Sequence, residues 1–191
     1  MAIGMFDGTD TVVLYEELAY QDVLPVLWRA LPGAVDPALA ASFAERNLRV
    51  LQACAAIEDH RTSETPADEP SPELQRIDFK LNLLLDLVGQ LLVANRPRPT
   101  PVPIRFNALG AVWRGAAPLP EAGAQGIAEI HLRDFLAEPI RLIGRVTNVT
   151  PEGQIKVRFS PPGEPAADLI EKLIFRRHRR QVAESRQPRR A

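Results

Sequence analysis

Two stretches of the chain place apolar residues at helical spacing. The first follows Asp36-Pro37, a pair in which the aspartate suits the helix N-cap and the proline suits the first helical position. Its apolar positions then recur at intervals typical of one helix face. They are Leu39, Phe43, Val50, Ala53 and Ile57. We therefore predict a first helix over residues 37–59.

The second helical stretch has a narrower apolar stripe. Ser71-Pro72 repeats the cap-plus-proline start, and the apolar residues that follow are spaced alternately four and three apart, as in a coiled coil. They are Ile77, Leu81, Leu84, Val88 and Leu91, which we call the seam. The pattern predicts a helix over residues 72–95, joined to the first by a proline-rich acidic linker at 60–71. Together, residues 36–95 form a predicted helical oligomerisation region.

After Pro101 the hydrophobic period changes from that of helices to that of strands. Short runs rich in β-branched residues alternate with turn residues, at residues 102–106, 111–114, 127–133, 140–149 and 154–159. Five strands at this spacing favour a small antiparallel barrel. A closing helix is predicted to begin near Glu164, so that barrel and helix span 96–185 and a basic tail spans 186–191.

The first 35 residues carry the weakest pattern, and we assign them no function. Residues 11–15 resemble a strand, whereas residues 22–31, which include Trp28, are interpreted as a turn or two of helix.

The composition excludes several classes of protein. The 191 residues carry 24 acidic and 23 basic side chains and a single cysteine, Cys54, which excludes an internal disulfide scaffold. The N-terminal residues do not resemble a secretory signal, and the longest uncharged apolar stretch is too short to span a bilayer. We expect a cytoplasmic bacterial protein.

The charge is unevenly distributed. Residues 171–191 contain eight basic and two acidic side chains, a net +6 that leaves −7 for the rest. Such a segment is either the solvated end of a helix, where cations oppose the helix dipole, or an arm that binds nucleic acid. Nucleic-acid binding is the alternative function that we retain.

No catalytic motif is present. His60, His131 and His178 lie far apart and lack the spacing of metal ligands, and the chain contains no phosphate-binding glycine loop and no nucleophile elbow. We therefore predict a protein that is not an enzyme, with no metal and no cofactor, and one that acts through interactions.

The seam allows two arrangements. The first helix could fold back and cover it within one chain, or several chains could form a bundle. Leu83, Leu85 and Leu92 lie outside the narrow seam, and this surplus favours the bundle.

The C-terminal half resembles the PilZ domain family, in particular its atypical members that carry coiled-coil helices before the barrel. The resemblance rests on residues 104–113, on the leucine-rich helix at 81–88 and on Phe-Arg-Arg-His-Arg-Arg within 173–183, and it covers residues 40–185. It implies an α+β fold, with a six-stranded antiparallel barrel preceded by two long helices and closed by a C-terminal helix. It also implies oligomers formed through a helical bundle, a tetramer among the options, and a signalling protein as partner.

The same resemblance implies cyclic di-GMP as a regulatory ligand. In the family motif Asp/Asn-x-Ser-x-x-Gly, Arg105 stands at the first position, Asn107 at the serine and Gly110 at the glycine, so one residue of three is retained. The usual site of the family also has two arginines four positions apart before the barrel, whereas Arg96 and Arg98 are two positions apart in this chain. These five residues are the candidate ligand site, and the degenerate motif predicts that cyclic di-GMP does not bind in the usual mode.

Overall fold

The computed structural model describes residues 13–33, 35–62, 71–95, 98–133 and 136–186. The described elements are, in chain order, β1 (Val13–Leu14), β2 (Glu17–Leu18), β3 (Tyr20–Ala30), α1 (Pro37–Thr62), α2 (Pro72–Asn95), β4 (Pro101–Phe106), β5 (Gly110–Arg114), β6 (Gln125–Ile130), β7 (Ile140–Val149), β8 (Gln154–Phe159) and α3 (Glu164–Arg186). The two long helices, the five strands after Pro101 and the closing helix are confirmed. α1 extends into the predicted linker (60–71) as far as Thr62, and residues 63–70 of that linker and 187–191 of the predicted tail (186–191) lie outside the described residues.

Six strands form a closed barrel in the order β3-β4-β5-β8-β7-β6, and every neighbouring pair is antiparallel. β3 closes the barrel, because its first half pairs with β4 and its second half pairs with β6. The change of partner falls between Pro25, which lies opposite Pro101, and Val26, which lies opposite Ile130.

The predicted helical turn at residues 22–31 is therefore wrong, since this stretch is part of the 11-residue strand β3. Its hydrophobic pattern is irregular for a physical reason. Leu24, Pro25 and Val26 are all buried, which breaks the alternation expected of a strand at the point where it changes partner. The barrel consequently takes its sixth strand from the segment that the sequence left unassigned.

The barrel interior forms the main core, and α3 extends it. Ile104, Phe106, Ile130, Ile140 and Val157 are fully buried inside the barrel, while Ile170, Leu173 and Ile174 of α3 join the same cluster. α1 packs against α3 and β7 through Val50, Leu51 and Cys54. None of the helices among the described residues combines the length and apolar character needed to cross a membrane.

Candidate functional site

The loop between β4 and β5 is organised by the side chain of Asn107. Its Oδ1 accepts hydrogen bonds from the backbone N–H groups of Leu109 at 2.9 Å and Gly110 at 3.0 Å. Its Nδ2 donates to the carbonyl of Leu14 at 2.7 Å. Asn107 is 1% exposed. The amide therefore closes the loop and connects it to the N-terminal hairpin formed by β1 and β2. Because the amide is buried and already has these partners, little of it remains for a ligand.

Gly110 lies directly beneath an aromatic ring of the same chain. A Cβ added at this position would overlap both the ring of Tyr15 and the carbonyl oxygen of Val157. The glycine thus permits a close approach, and Tyr15 is the group that makes it. A ligand in contact with the Gly110 backbone would have to displace this ring.

Tyr15 is held in place by its turn and by its neighbours. Tyr15 and Glu16 have φ angles of 53° and 68°, the left-handed region that a tight two-residue hairpin requires. The ring lies 4.7 Å from Lys156 Nζ and 5.2 Å from Arg158 Cζ, distances at which cations are attracted to an aromatic face. Its hydroxyl is 3.3 Å from Thr147 Oγ1. Nothing in the hydrophobic pattern singled out Tyr15, because its partners come from distant strands.

Arg105 projects from the outer wall of the barrel next to this hairpin. It is exposed and borders an open cleft of about 250 Å³, whose lining also includes Lys156, Asn148 and Gln154. The strand register explains this grouping: Arg105 pairs with Val112, Val112 with Lys156, and Lys156 with Asn148. Two cations and several amide or hydroxyl groups therefore share one face, which suits an anionic ligand.

The predicted site residues are only partly brought together. Arg105, Asn107 and Gly110 lie at the β4–β5 end of the barrel, beside Tyr15. Arg98 lies elsewhere, since its Nη1 and Nη2 donate to the carbonyls of Arg133 at 3.3 Å and Leu136 at 2.6 Å. Arg96 is outside the described residues. Across the described ranges, no three His, Cys, Asp or Glu side chains are grouped so as to hold a metal ion.

The seam residues of α2 are all half-exposed or more in the single chain, from 50% for Val88 to 64% for Leu91. α1 packs on α3 and β7, so it does not fold back to cover these positions. Further large apolar side chains on α2 are also exposed: Leu74, Phe79, Leu83 and Leu87. Exposed apolar surface of this extent on one helix is typical of an interaction surface.

The basic run in α3 contributes to the fold itself. Arg177 is 5% exposed, stacks 4.4 Å above the ring of Tyr20, and donates to the Tyr20 hydroxyl and to Asp22. Burial raises the pKa of Tyr20 far above its ordinary value, although the nearby Arg177 charge opposes this shift. The Arg177–Tyr20–Asp22 contacts attach α3 to β3, so at least this arginine is not part of a nucleic-acid arm.

A closed six-stranded antiparallel barrel that packs against a C-terminal helix and carries two additional helices is the architecture implied by the resemblance to PilZ domains. The family model described as "Atypical PilZ domain, cyclic di-GMP receptor" matches residues 51–187. The chain belongs to the atypical PilZ domain family.

Comparison with solved structures agrees with this assignment. The chain is similar to a pathogenic protein from Xanthomonas campestris, described as a new tetrameric PilZ domain self-assembled via an unusual helical bundle. The TM-score is 0.68 at 24% identity, over 89% of this chain and 93% of the other. At this identity the likeness shows the fold alone. No curated protein matches the chain significantly.

Proposed function

We propose that this protein is a non-enzymatic signalling scaffold of the PilZ type, which self-assembles through α2 and acts by contact with other proteins. The observation that carries the proposal is the exposed apolar surface of α2, centred on the seam. The cytoplasmic location and a signalling protein as partner are parts of the same proposal. The buried Arg177 favours it over nucleic-acid binding through the basic C-terminal helix.

The energetics of the seam support a second copy of this chain as the occupant. Complete burial of one large aliphatic side chain contributes roughly 1.5–3 kcal/mol, so covering the exposed half contributes roughly 1 kcal/mol per position. Identical helices bring the same five positions from each chain, at the spacing that two coiled-coil partners share. The Xanthomonas campestris protein, which shares the fold, is described as assembling via a helical bundle.

The first experiment measures the mass in solution. Replacing Leu84→Glu together with Val88→Glu places two carboxylates in the seam, where burial of an unpaired charge is strongly unfavourable. We expect the assembly to collapse to monomers in size-exclusion chromatography with light scattering. Lys172→Glu is the matched control, because it changes the net charge by the same two units at an exposed position of α3, outside both α1 and α2. An unchanged mass for the double variant would refute assembly through α2.

The ligand part of the proposal concerns cyclic di-GMP. Tyr15 covers Gly110, and Asn107 is engaged by the hairpin, so the surface that the family motif would use is occupied by the chain itself. We propose that cyclic di-GMP does not bind in the usual mode, and we expect no binding heat in titration calorimetry of the full chain at high micromolar ligand. Binding heat that disappears in Arg105→Ala would contradict this part and would place the nucleotide in the cleft beside Arg105.

A further inference from the structure

A second cavity lies on the barrel away from the Tyr15 hairpin. Its volume is about 210 Å³, and it is bounded by β3, β6, β7 and the segments that precede β4 and β7. Its walls carry three arginines and a histidine: Arg29, Arg98, Arg141 and His131. The concentration of N–H donors in one concave space makes this cavity a candidate anion site.

Glu129 holds two of these arginines in position. Its carboxylate is 12% exposed and contacts Arg29 Nε at 3.3 Å through Oε2 and Arg141 Nε at 3.2 Å through Oε1. Each guanidinium is engaged through Nε, so the carboxylate orients both groups without using their Nη atoms. The two planar guanidiniums are therefore held in position, and their geometry suits the oxygens of a phosphate group.

Two buried nitrogens bordering the cavity have no hydrogen-bond partner among the described residues. They are Nη1 of Arg141 and Nδ1 of His131. A buried polar group without a partner costs about 1–3 kcal/mol, and more when it is charged. A bound oxyanion of small size would supply acceptors to both groups and remove this cost.

The charge balance of the cavity also favours an anion. Three arginines face two carboxylates, Glu129 and the exposed Glu138, which leaves a net positive charge. Burial, together with the nearby Arg98 charge, lowers the pKa of His131, so the imidazole is neutral at pH 7. Arg98 is anchored by the carbonyls of Arg133 and Leu136, which makes it a fixed source of positive potential.

The backbone of the cavity is rigidly supported by α1. The N–H of Arg141 donates to Asn47 Oδ1 at 2.7 Å, and the carbonyl of Arg141 accepts from Asn47 Nδ2 at 2.8 Å. Asn47 is itself 3% exposed. The Arg141 main chain is therefore held in place before any ligand arrives, and such preorganisation favours binding.

We propose that this cavity binds a phosphate group, either as inorganic phosphate or as the terminal monoester of a small molecule, between the guanidiniums of Arg29 and Arg141 and the imidazole of His131. The site is separate from the cleft beside Arg105 and from the α2 seam. Phosphate binding in this cavity is independent of both, so we expect phosphate to leave the mass of the assembly unchanged.

The test is a titration of the full chain with inorganic phosphate and, in parallel, with glycerol 3-phosphate, at constant ionic strength set by sodium chloride. Saturable binding in the millimolar range or tighter is expected for at least one of the two. A response to the ester alone assigns the site to monoesters, whereas a response to both assigns it to the free group as well. No saturable binding of either would overturn the proposal.

Variants identify the cavity as the place of binding. Arg29 has a side chain that is 62% exposed, so Arg29→Gln leaves the fold intact while removing one charge-assisted contact. The affinity is expected to fall about tenfold, as for the loss of one hydrogen bond to a charged group. Arg114→Gln is the control, because Arg114 is exposed on β5 and donates only outside this cavity, to the carbonyl of Glu152 at 3.0 Å. Equal affinities for the two variants would overturn the assignment.

The imidazole of His131 gives an independent readout. An anion in contact with the ring stabilises its charged form, so saturating phosphate is expected to raise the pKa of His131 in an NMR titration. The charged groups around this ring are Arg98, Glu129 and Arg141. Since they are present both with and without phosphate, a change in the pKa of His131 reports the bound anion. An unmoved His131 titration under saturating phosphate would show that the anion binds elsewhere.

Discussion

Gly110 and Tyr15 show how one residue pair determines what the surface of the barrel can accept. The missing side chain at Gly110 provides the space, and the Tyr15 ring fills it while Lys156 and Arg158 lie against the ring. In the sequence, Gly110 matches the glycine position of the family motif. The identity of the group above it could not be predicted, because Tyr15 reaches the site through a turn with positive φ angles and through contacts distant in sequence.

Substitution of this glycine tests the packing. In Gly110→Ala the new methyl group overlaps the Val157 carbonyl, which belongs to the β5–β8 ladder and cannot move freely. We expect the free energy of unfolding to decrease by about 1–3 kcal/mol, as in other overpacked sites. Denaturant unfolding measures this change. Gly33→Ala is the matched control, since no described residue lies within 4 Å of a Cβ there, and an equal effect of both substitutions would contradict overpacking as the cause.

His131 is expected to make the free energy of unfolding depend on pH. Its pKa is lowered in the folded state from the ordinary value of 6.5, mainly by burial, so the unfolded chain binds the proton more tightly. Stability that is fully present above pH 6.5 is therefore lost as the pH falls below this value. We expect the denaturant midpoint to decrease between pH 7.5 and pH 5.5, a window set by that ordinary pKa. The decrease should be smaller in His131→Gln, and an identical pH profile in that variant would rule out His131 as its source.

At the scale of elements, β3 and α2 show what local patterns can and cannot specify. The helices were predictable because a cap residue, a following proline and a regular apolar stripe all agree, as at Ser71, whose Oγ accepts from the N–H of Leu74 at 3.3 Å. β3 was missed because it belongs to two pairings, with β4 and then with β6, and neither half alone shows a strand-like alternation. Long-range pairing of this kind leaves no local signal.

α2 carries a second apolar stripe in addition to the seam. Phe79, Leu83 and Leu87 lie four residues apart and form a row roughly 120° around the helix axis from the seam. A helix with two apolar faces fits between two neighbours, as in a bundle of more than two helices. We call this row the flank.

The flank predicts an intermediate assembly. Phe79→Gln together with Leu83→Gln weakens the second face but leaves the seam intact, so we expect the mass to fall to that of a smaller oligomer, not to that of a monomer. Light scattering beside the wild-type chain measures this. A variant with the full wild-type mass would show that the flank is not part of the assembly, and a monomer would show that the two faces are not independent.

At the scale of the whole molecule, the uneven charge found in the sequence has a structural counterpart. Residues 171–186 of the basic C-terminal segment belong to α3, where Arg177 is buried against Tyr20 and Asp22 and joins the closing helix to the strand that closes the barrel. The barrel and α3 are therefore joined by packing and by buried polar contacts, whereas α2 presents its apolar surface outward. The buried core thus lies in the barrel, α1 and α3, whereas the exposed large apolar side chains are concentrated on α2.

The most direct test of assembly through α2 is the mass of the wild-type chain in solution, measured by sedimentation equilibrium over a wide range of protein concentration. Assembly through α2 predicts a mass at least twice that of one chain, maintained on dilution into the low micromolar range. A mass equal to one chain at every concentration would contradict it.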